Sequence, residues 1–294
     1  MARLILTLAL VLVVGFGSNV SAHSPEGWLG FAFQWPAGLE PTLDGAPPPN
    51  EWSVIPEFYW QDTSMMPDTK EGAEMDLSDW SAKAAVSWSE ATNRFYLYSE
   101  VFDDFSVKAD TWQIVVDADH SGGRFQGIEG LETDEDKERW GGAHGQQYEF
   151  FNTIGEGTTE QFVWAKADWL RAEGFTVPEY TFEGDANGAG TTFMEIQLTP
   201  WDDMNWEGPD ASIIHDLVEG DVVGLGYNWM DYEDPEASNG EAWESFWNLT
   251  ANSQMFWDAS AINDFELAPV DDSVNFPTAV EATSWGRIKT RFVE

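Results

Sequence analysis

The sequence predicts an all-β chain, an antiparallel β-sandwich of jelly-roll-like form with decorated loops, and three observations carry that prediction. Apolar residues alternate with period two in several segments, as they do in strands with one buried face. Those segments are separated by clusters of Gly, Pro, Asn and Asp, which mark turns. No long stretch keeps a convincing helical period, so little is left to build helical layers from. The chain has no cysteine and 294 residues, enough to bury a core without covalent staples.

Read in order, Met1, Ala2 and Arg3 precede an apolar run over 4–16, followed by Val20-Ser21-Ala22. This is the pattern of a cleavable signal peptide at residues 1–22, which predicts export to the periplasm or the exterior and His23 as the new N-terminus. The run is shorter than the roughly 20 residues that span a bilayer, so no membrane insertion is expected after cleavage. A Pro-rich turn at 46–50 comes next. Phe95, Leu97 and Val101 then share one parity, as do Trp112, Ile114 and Val116. A charged helix is expected over 129–140, inside an insertion that ends at a strand near Tyr148. After the Gly-rich 184–190 turn, Met194, Ile196 and Leu198 form a further strand pattern, and Val223, Leu225, Tyr227 and Trp229 another. The acidic stretch 231–240 follows. In the tail, 270–294, Arg287, Lys289 and Arg291 alternate, which suits one face turned towards acidic surface. With no low-complexity linker and no fixed-period repeat, residues 23–294 are expected to form one domain.

The formal charge is −40, and loss of the leader, which holds Arg3 and no acid, makes it more negative still. Such a surface repels nucleic acid and anionic membranes. It suits either salty surroundings or divalent cations held by carboxylates. The lack of cysteine excludes a thiolate zinc site, covalent haem attachment and a cysteine nucleophile.

Several segments, taken in order, resemble the family 9 carbohydrate-binding modules. Pro41-Thr42-Leu43-Asp44-Gly45 followed by Glu51-Trp52 is similar to the opening "IDG…EW" signature. Ala84-Ala85-Val86-Ser87-Trp88 and Phe95 through Asp104 resemble its paired strands, and Trp112-Gln113-Ile114-Val115-Val116-Asp117 its "VEIFID" strand. Phe193-Met194-Glu195-Ile196-Gln197-Leu198 looks like its "EAAI" strand, and Gly220 through Asn228 like its "IGFNI" strand. Trp247, Trp257-Asp258-Ala259-Ser260 and Phe265-Glu266-Leu267 resemble the closing stretch. The resemblance covers about residues 39–268 and implies a jelly-roll-like sandwich that binds sugar chains by tryptophan stacking, with calcium as a structural element. Trp257 falls at a sugar-stacking tryptophan of the family. The facing tryptophan has no counterpart near Ser106, Val107 and Lys108, Gln113 replaces a glutamate, and Glu149 stands where the family has an arginine.

Sugar rings present apolar faces and a hydroxyl rim, so their receptors combine flat aromatic surface with directed polar groups. Of 17 tryptophans, Trp88, Trp112 and Trp229 fit buried strand parity, whereas Trp201, Trp206, Trp243, Trp247 and Trp257 lie in loop-like, acid-rich contexts. The expected carbohydrate contacts are Trp257, Trp247, Gln113 and Glu149. In the run from Asp117 to Gly123, the oxygen-bearing Asp117, Asp119 and Ser121 alternate, which suits calcium or, equally, aspartates capping a plain turn. Asp231, Glu233 and Asp234 form a similar acidic turn. His23, His120, His144 and His215 show no metal spacing, and Asn248-Leu249-Thr250 matches a glycosylation acceptor. Carboxylate pairs at 132–136 and at Glu74 and Asp76 lack the apolar setting that would raise the pKa of a catalytic acid. The expectation is therefore an exported, non-catalytic protein that binds a polysaccharide or oligosaccharide. A scaffold for protein contacts is the alternative, and a glycoside hydrolase the third reading.

Overall fold

A computed structural model describes residues 24–276 apart from 71, 73, 153, 155–159, 164–166, 235 and 237–243, and gives the backbone but not the side chains of 160–163. The expected signal peptide, His23, Trp243 and the basic tail positions lie outside the described residues.

The protein is all-β. Its first strands are β1 (Leu29–Gln34), β2 (Trp60–Asp62), β3 (Trp80–Ser89), β4 (Arg94–Ser106) and β5 (Thr111–Asp117). Helix α1 (Asp134–His144) leads into β6 (Gln146–Phe151) and β7 (Glu160–Val163). The short helix α2 (Trp169–Ala172) precedes β8 (Thr176–Gly184) and β9 (Gly188–Leu198). The chain continues through β10 (Trp201–Asp203), β11 (Ile213–Ile214), β12 (Val222–Asp231), β13 (Ser245–Asn248) and β14 (Asn263–Leu267).

Hydrogen-bonded neighbours run β7-β6-β5-β12-β14-β1 and then β1-β3-β4-β9-β8, with β13 beside β12 and β2 beside β3. Strand β1 joins the two groups. Leu29 to Ala32 pair with β14, and Phe33 and Gln34 with β3. Both of these pairings are parallel, whereas the other pairings between these strands are antiparallel, so the expected wholly antiparallel arrangement is corrected to a mixed one. The reason is topological: β14 and β3 are far from β1 in sequence, and no hairpin turn constrains direction. Period-two alternation is the same for either direction and carries no information about it.

The strand parities read from the sequence are those of the core. Trp112, Ile114, Val116, Leu225, Tyr227 and Trp229 from one group of strands share a hydrophobic cluster with Trp88, Phe95, Leu97, Ile196 and Leu198 from the other. Each such side chain removed from water stabilises the fold by roughly 1.5–3 kcal/mol. Indoles bridge the two groups: Trp80 of β3 stacks on Trp247 of β13 (5.3 Å, 17°) and meets Trp229 of β12 (5.7 Å, 57°), while Trp229 stacks on its strand neighbour Trp112 (5.6 Å, 5°). Helix α1 begins later than the expected 129–140, because Thr133 supplies the N-cap by accepting from the Asp136 N–H at 3.1 Å.

The loop before β2 is tied down by one buried carboxylate. Glu195, fully buried in β9, accepts from the Asp44 and Gly45 N–H groups on Oε2 (2.6 and 2.7 Å) and from the Trp52 indole on Oε1 (2.7 Å). Gly45 holds φ +63°, and a Cβ there would sit 2.5 Å from the Tyr180 backbone, so the close approach requires glycine.

Candidate functional site

Trp257 is held by its backbone and presents its ring to solvent. Asn252 caps the turn 253–256 by accepting from the Gln254 N–H at 3.0 Å, and Asp258 caps the next turn through the Ser260 N–H at 2.9 Å. Between these caps the Trp257 carbonyl accepts from the N–H groups of Phe125 and Gln126 at 2.9 and 3.2 Å. The side chain is 43% exposed. Its ring lines a groove with about 330 Å³ of internal volume, and Gly127, whose φ of +62° suits glycine, turns the neighbouring loop beside the ring.

The groove has apolar walls from Phe125, Ile128 and Leu131 and an amide edge from Gln126 and Gln147. Gln126 Nε2 donates to Gln147 Oε1 at 2.6 Å, which orients both amides. Helix α1 contributes Asp134, Lys137 and Glu138 to the rim, with Lys137 Nζ 3.4 Å from Asp134. The first-turn acids of α1, Asp134, Glu135 and Asp136, sit at the positive end of the helix dipole. This accounts for three of the four acids in the run at 132–136. Flat aromatic surface beside oriented amides and charged groups is what a polyhydroxylated ring requires.

The other expected contacts lie elsewhere. Trp247 is 2% exposed and packed against Trp80, so its assignment to the sugar site is corrected: β13 turns it into the core, leaving no free ring face. Gln113 and Glu149 are both buried on the face of β5 and β6 that points away from the main core, and Gln113 Nε2 donates to Glu149 Oε1. Neither lines the Trp257 groove, although Glu149 follows Gln147 by two residues on the same face of β6. Strand register continues their row through Asn228 and Asn248. Asn228 is fully buried with neither side-chain polar atom hydrogen-bonded. Asn248 is also fully buried, its Oδ1 accepting from Thr250, which leaves the glycosylation pattern there without an accessible acceptor. Gln126, Gln147 and Asn228 were not singled out from the sequence. Alternation places Gln147 and Asn228 opposite core residues, but nothing local marks that face as a site.

At the other candidate, Asp117 is 1% exposed, and its two oxygens accept from Ser121 N–H (3.2 Å) and Gly122 N–H (2.7 Å), while Asp119 Oδ1 also accepts from Ser121 N–H at 3.1 Å. This is the turn-capping alternative for Asp117, Asp119 and Ser121. The convergent carboxylates are elsewhere. Among the described residues, ligand oxygens lie within 4.8 Å of one another in two sets, Asp103, Asp231 and Glu233, and Asp79, Asp104 and Glu233. Burial, with neighbouring carboxylates second, pushes the Asp231 carboxyl up to about 8 and Glu233 up to about 7. Burial and then Asp103 and Asp231 push Asp110 well above the usual carboxylate range. The Trp247 indole N–H favours the Asp231 charge but falls short of hydrogen-bond geometry.

Comparison with family models, curated proteins and solved structures finds no match to this chain.

Proposed function

We propose that this chain is an exported, non-catalytic carbohydrate-binding protein that takes a glycan segment in the groove beside Trp257. The observation that carries the reading is Trp257 itself, fixed through its backbone yet 43% exposed over a groove of about 330 Å³. The ring supplies an apolar face for sugar C–H groups, and Gln126 and Gln147 supply amides for hydroxyls. Volume and wall composition suit one or two sugar units of a longer chain. Binding rather than hydrolysis is favoured because the groove carboxylates Asp134 and Glu138 belong to one solvent-facing helix, with Asp134 paired to Lys137. A glycosidase instead sets two carboxylates on opposite sides of the scissile bond.

The test is a glycan-array screen of the mature protein, with calcium and with chelator, comparing wild type with Trp257→Ala. Selective binding that falls at least about tenfold in the variant, equivalent to about 1.4 kcal/mol, supports the reading. Folded protein that binds no glycan under either condition overturns it and transfers the weight to a scaffold for protein contacts.

A further inference from the structure

The carboxylates between the ends of β4 and β12 come from both groups of strands. In register, Trp80 pairs with Asp103, and the Asp104 N–H donates to the Asp79 carbonyl at 2.8 Å, which sets those two acids side by side. Across the interior, Met230 pairs with Thr111, and the Tyr232 N–H donates to Asp110 Oδ1 at 3.1 Å, bringing Asp231 beside Asp110. Glu233 then belongs to both carboxylate sets. Oxygens up to 4.8 Å apart are spaced as ligands about 2.3–2.6 Å from one central calcium would be.

A second observation points to a ligand. Asp103, Asp110 and Asp231 line a cavity of about 30 Å³ together with Asn152, whose side chain is 5% exposed. Asn152 Nδ2 donates to Thr192 at 2.9 Å, but its Oδ1 has no partner, and Asp231 Oδ1 has none either. Buried acceptors are seldom left unmatched. Asn152 and Asp231, each with a buried unmatched oxygen, line the same cavity, and a neutral oxygen beside carboxylates is the kind of donor set a hard cation takes.

We propose that Asp103, Asp231 and Glu233, with Asp79 and Asp104 on the outer side of Glu233 and Asn152 lining the cavity within, hold one divalent cation of calcium's chemistry. The ion ties the end of β4 to the end of β12, linking the two groups of strands in a chain without disulfides.

The test is thermal unfolding of the full chain in chelator and in calcium, together with tryptophan-sensitised terbium luminescence, for which Trp80, Trp112 and Trp229 beside the cavity act as donors. Calcium at a hundredfold excess over its Kd is expected to raise Tm by about 5 °C or more, with one tight terbium site displaced by calcium. Asp231→Asn and Glu233→Gln are expected to abolish both signals, and Asp119→Asn to keep them. Asp231→Asn is further expected to melt no lower than wild type in chelator, since it removes a carboxyl that folding sets among other acids in a buried place, and lower than wild type in calcium. That reversal of sign separates a cation site from a protonated cluster. A Tm indifferent to calcium, or a shift and a tight terbium site that survive both cluster variants or vanish in Asp119→Asn, would overturn the proposal. Should a cluster variant fail to fold, wild-type terbium binding with no tight, calcium-displaceable site would overturn it equally. None of these readouts depends on glycan binding.

Discussion

Replacing Glu195 by glutamine tests how the loop from Asp44 to Trp52 is held. Three N–H donors converge on the carboxylate: two backbone groups on Oε2, at 2.6 and 2.7 Å, and the Trp52 indole on Oε1, at 2.7 Å. Glutamine can keep its oxygen towards the backbone pair, but its NH₂ then meets the indole N–H, and the site is fully buried, so water cannot relieve the clash. An unmatched buried donor costs roughly 1–3 kcal/mol. Burial, opposed by the three donors, pushes Glu195 up to about 7, above the usual carboxylate range. Because the folded pKa lies above the unfolded one, the folded chain holds more protons between these values. The Glu195 contribution is therefore full at the acid end of the window and falls as pH rises through it. Glutamine does not titrate, so the deficit of Glu195→Gln is expected to be about 2 kcal/mol near pH 5 and to shrink towards pH 8. Denaturant melts of both proteins at pH 5, 6, 7 and 8 read this directly, with unchanged m-values required for the comparison. A deficit that grows with pH would show that the three donors outweigh burial and keep the carboxylate charged, and equal stabilities at pH 5 would refute the anchoring role altogether.

Trp247→Ala should cost about 3–5 kcal/mol by opening the stack with Trp80, seen as a large Tm loss, with glycan affinity unchanged in whatever protein remains folded. Trp257→Ala should do the reverse, shifting stability by less than about 1 kcal/mol while binding falls at least about tenfold. Gly45→Ala should lower stability by more than about 1 kcal/mol in urea melts, since Cβ meets the Tyr180 backbone and the residue is held at φ +63°. Asp258→Ala should cost about 0.5–2 kcal/mol as a lost cap, and weaken glycan binding through the backbone that positions Trp257; affinity equal to wild type would disconnect the cap from the groove.

What was legible before folding was whatever depends on a residue's neighbours in sequence. Parity along the strands marked Trp112, Ile114 and Val116, and Val223, Leu225, Tyr227 and Trp229, and all seven lie in the core. Trp257 was legible as an exposed ring because local caps fix its turn, Asn252 on one side and Asp258 on the other. Trp247 was misplaced for the opposite reason. Its acidic surroundings read as a loop, but pairing with β12 across Trp229 sends the ring inward. The Asp117 run was ambiguous, since the same alternating oxygens serve a cation or a turn, and the outcome depends on where each oxygen points.

By itself the sequence determined the all-β class, the strand faces, the strongly acidic surface and the candidate status of Trp257, since these follow from composition and from periods of two. Tertiary structure decided the parallel seating of β1 and the joining of Asp44, Gly45 and Trp52 to Glu195. It also gathered Asp103, Asp231 and Glu233 at one point. Each of these joins residues well over a hundred positions apart or unites strands with no turn between them. Proximity of that kind arises from sheet order and from the packing of one buried face on another, and no local pattern encodes it.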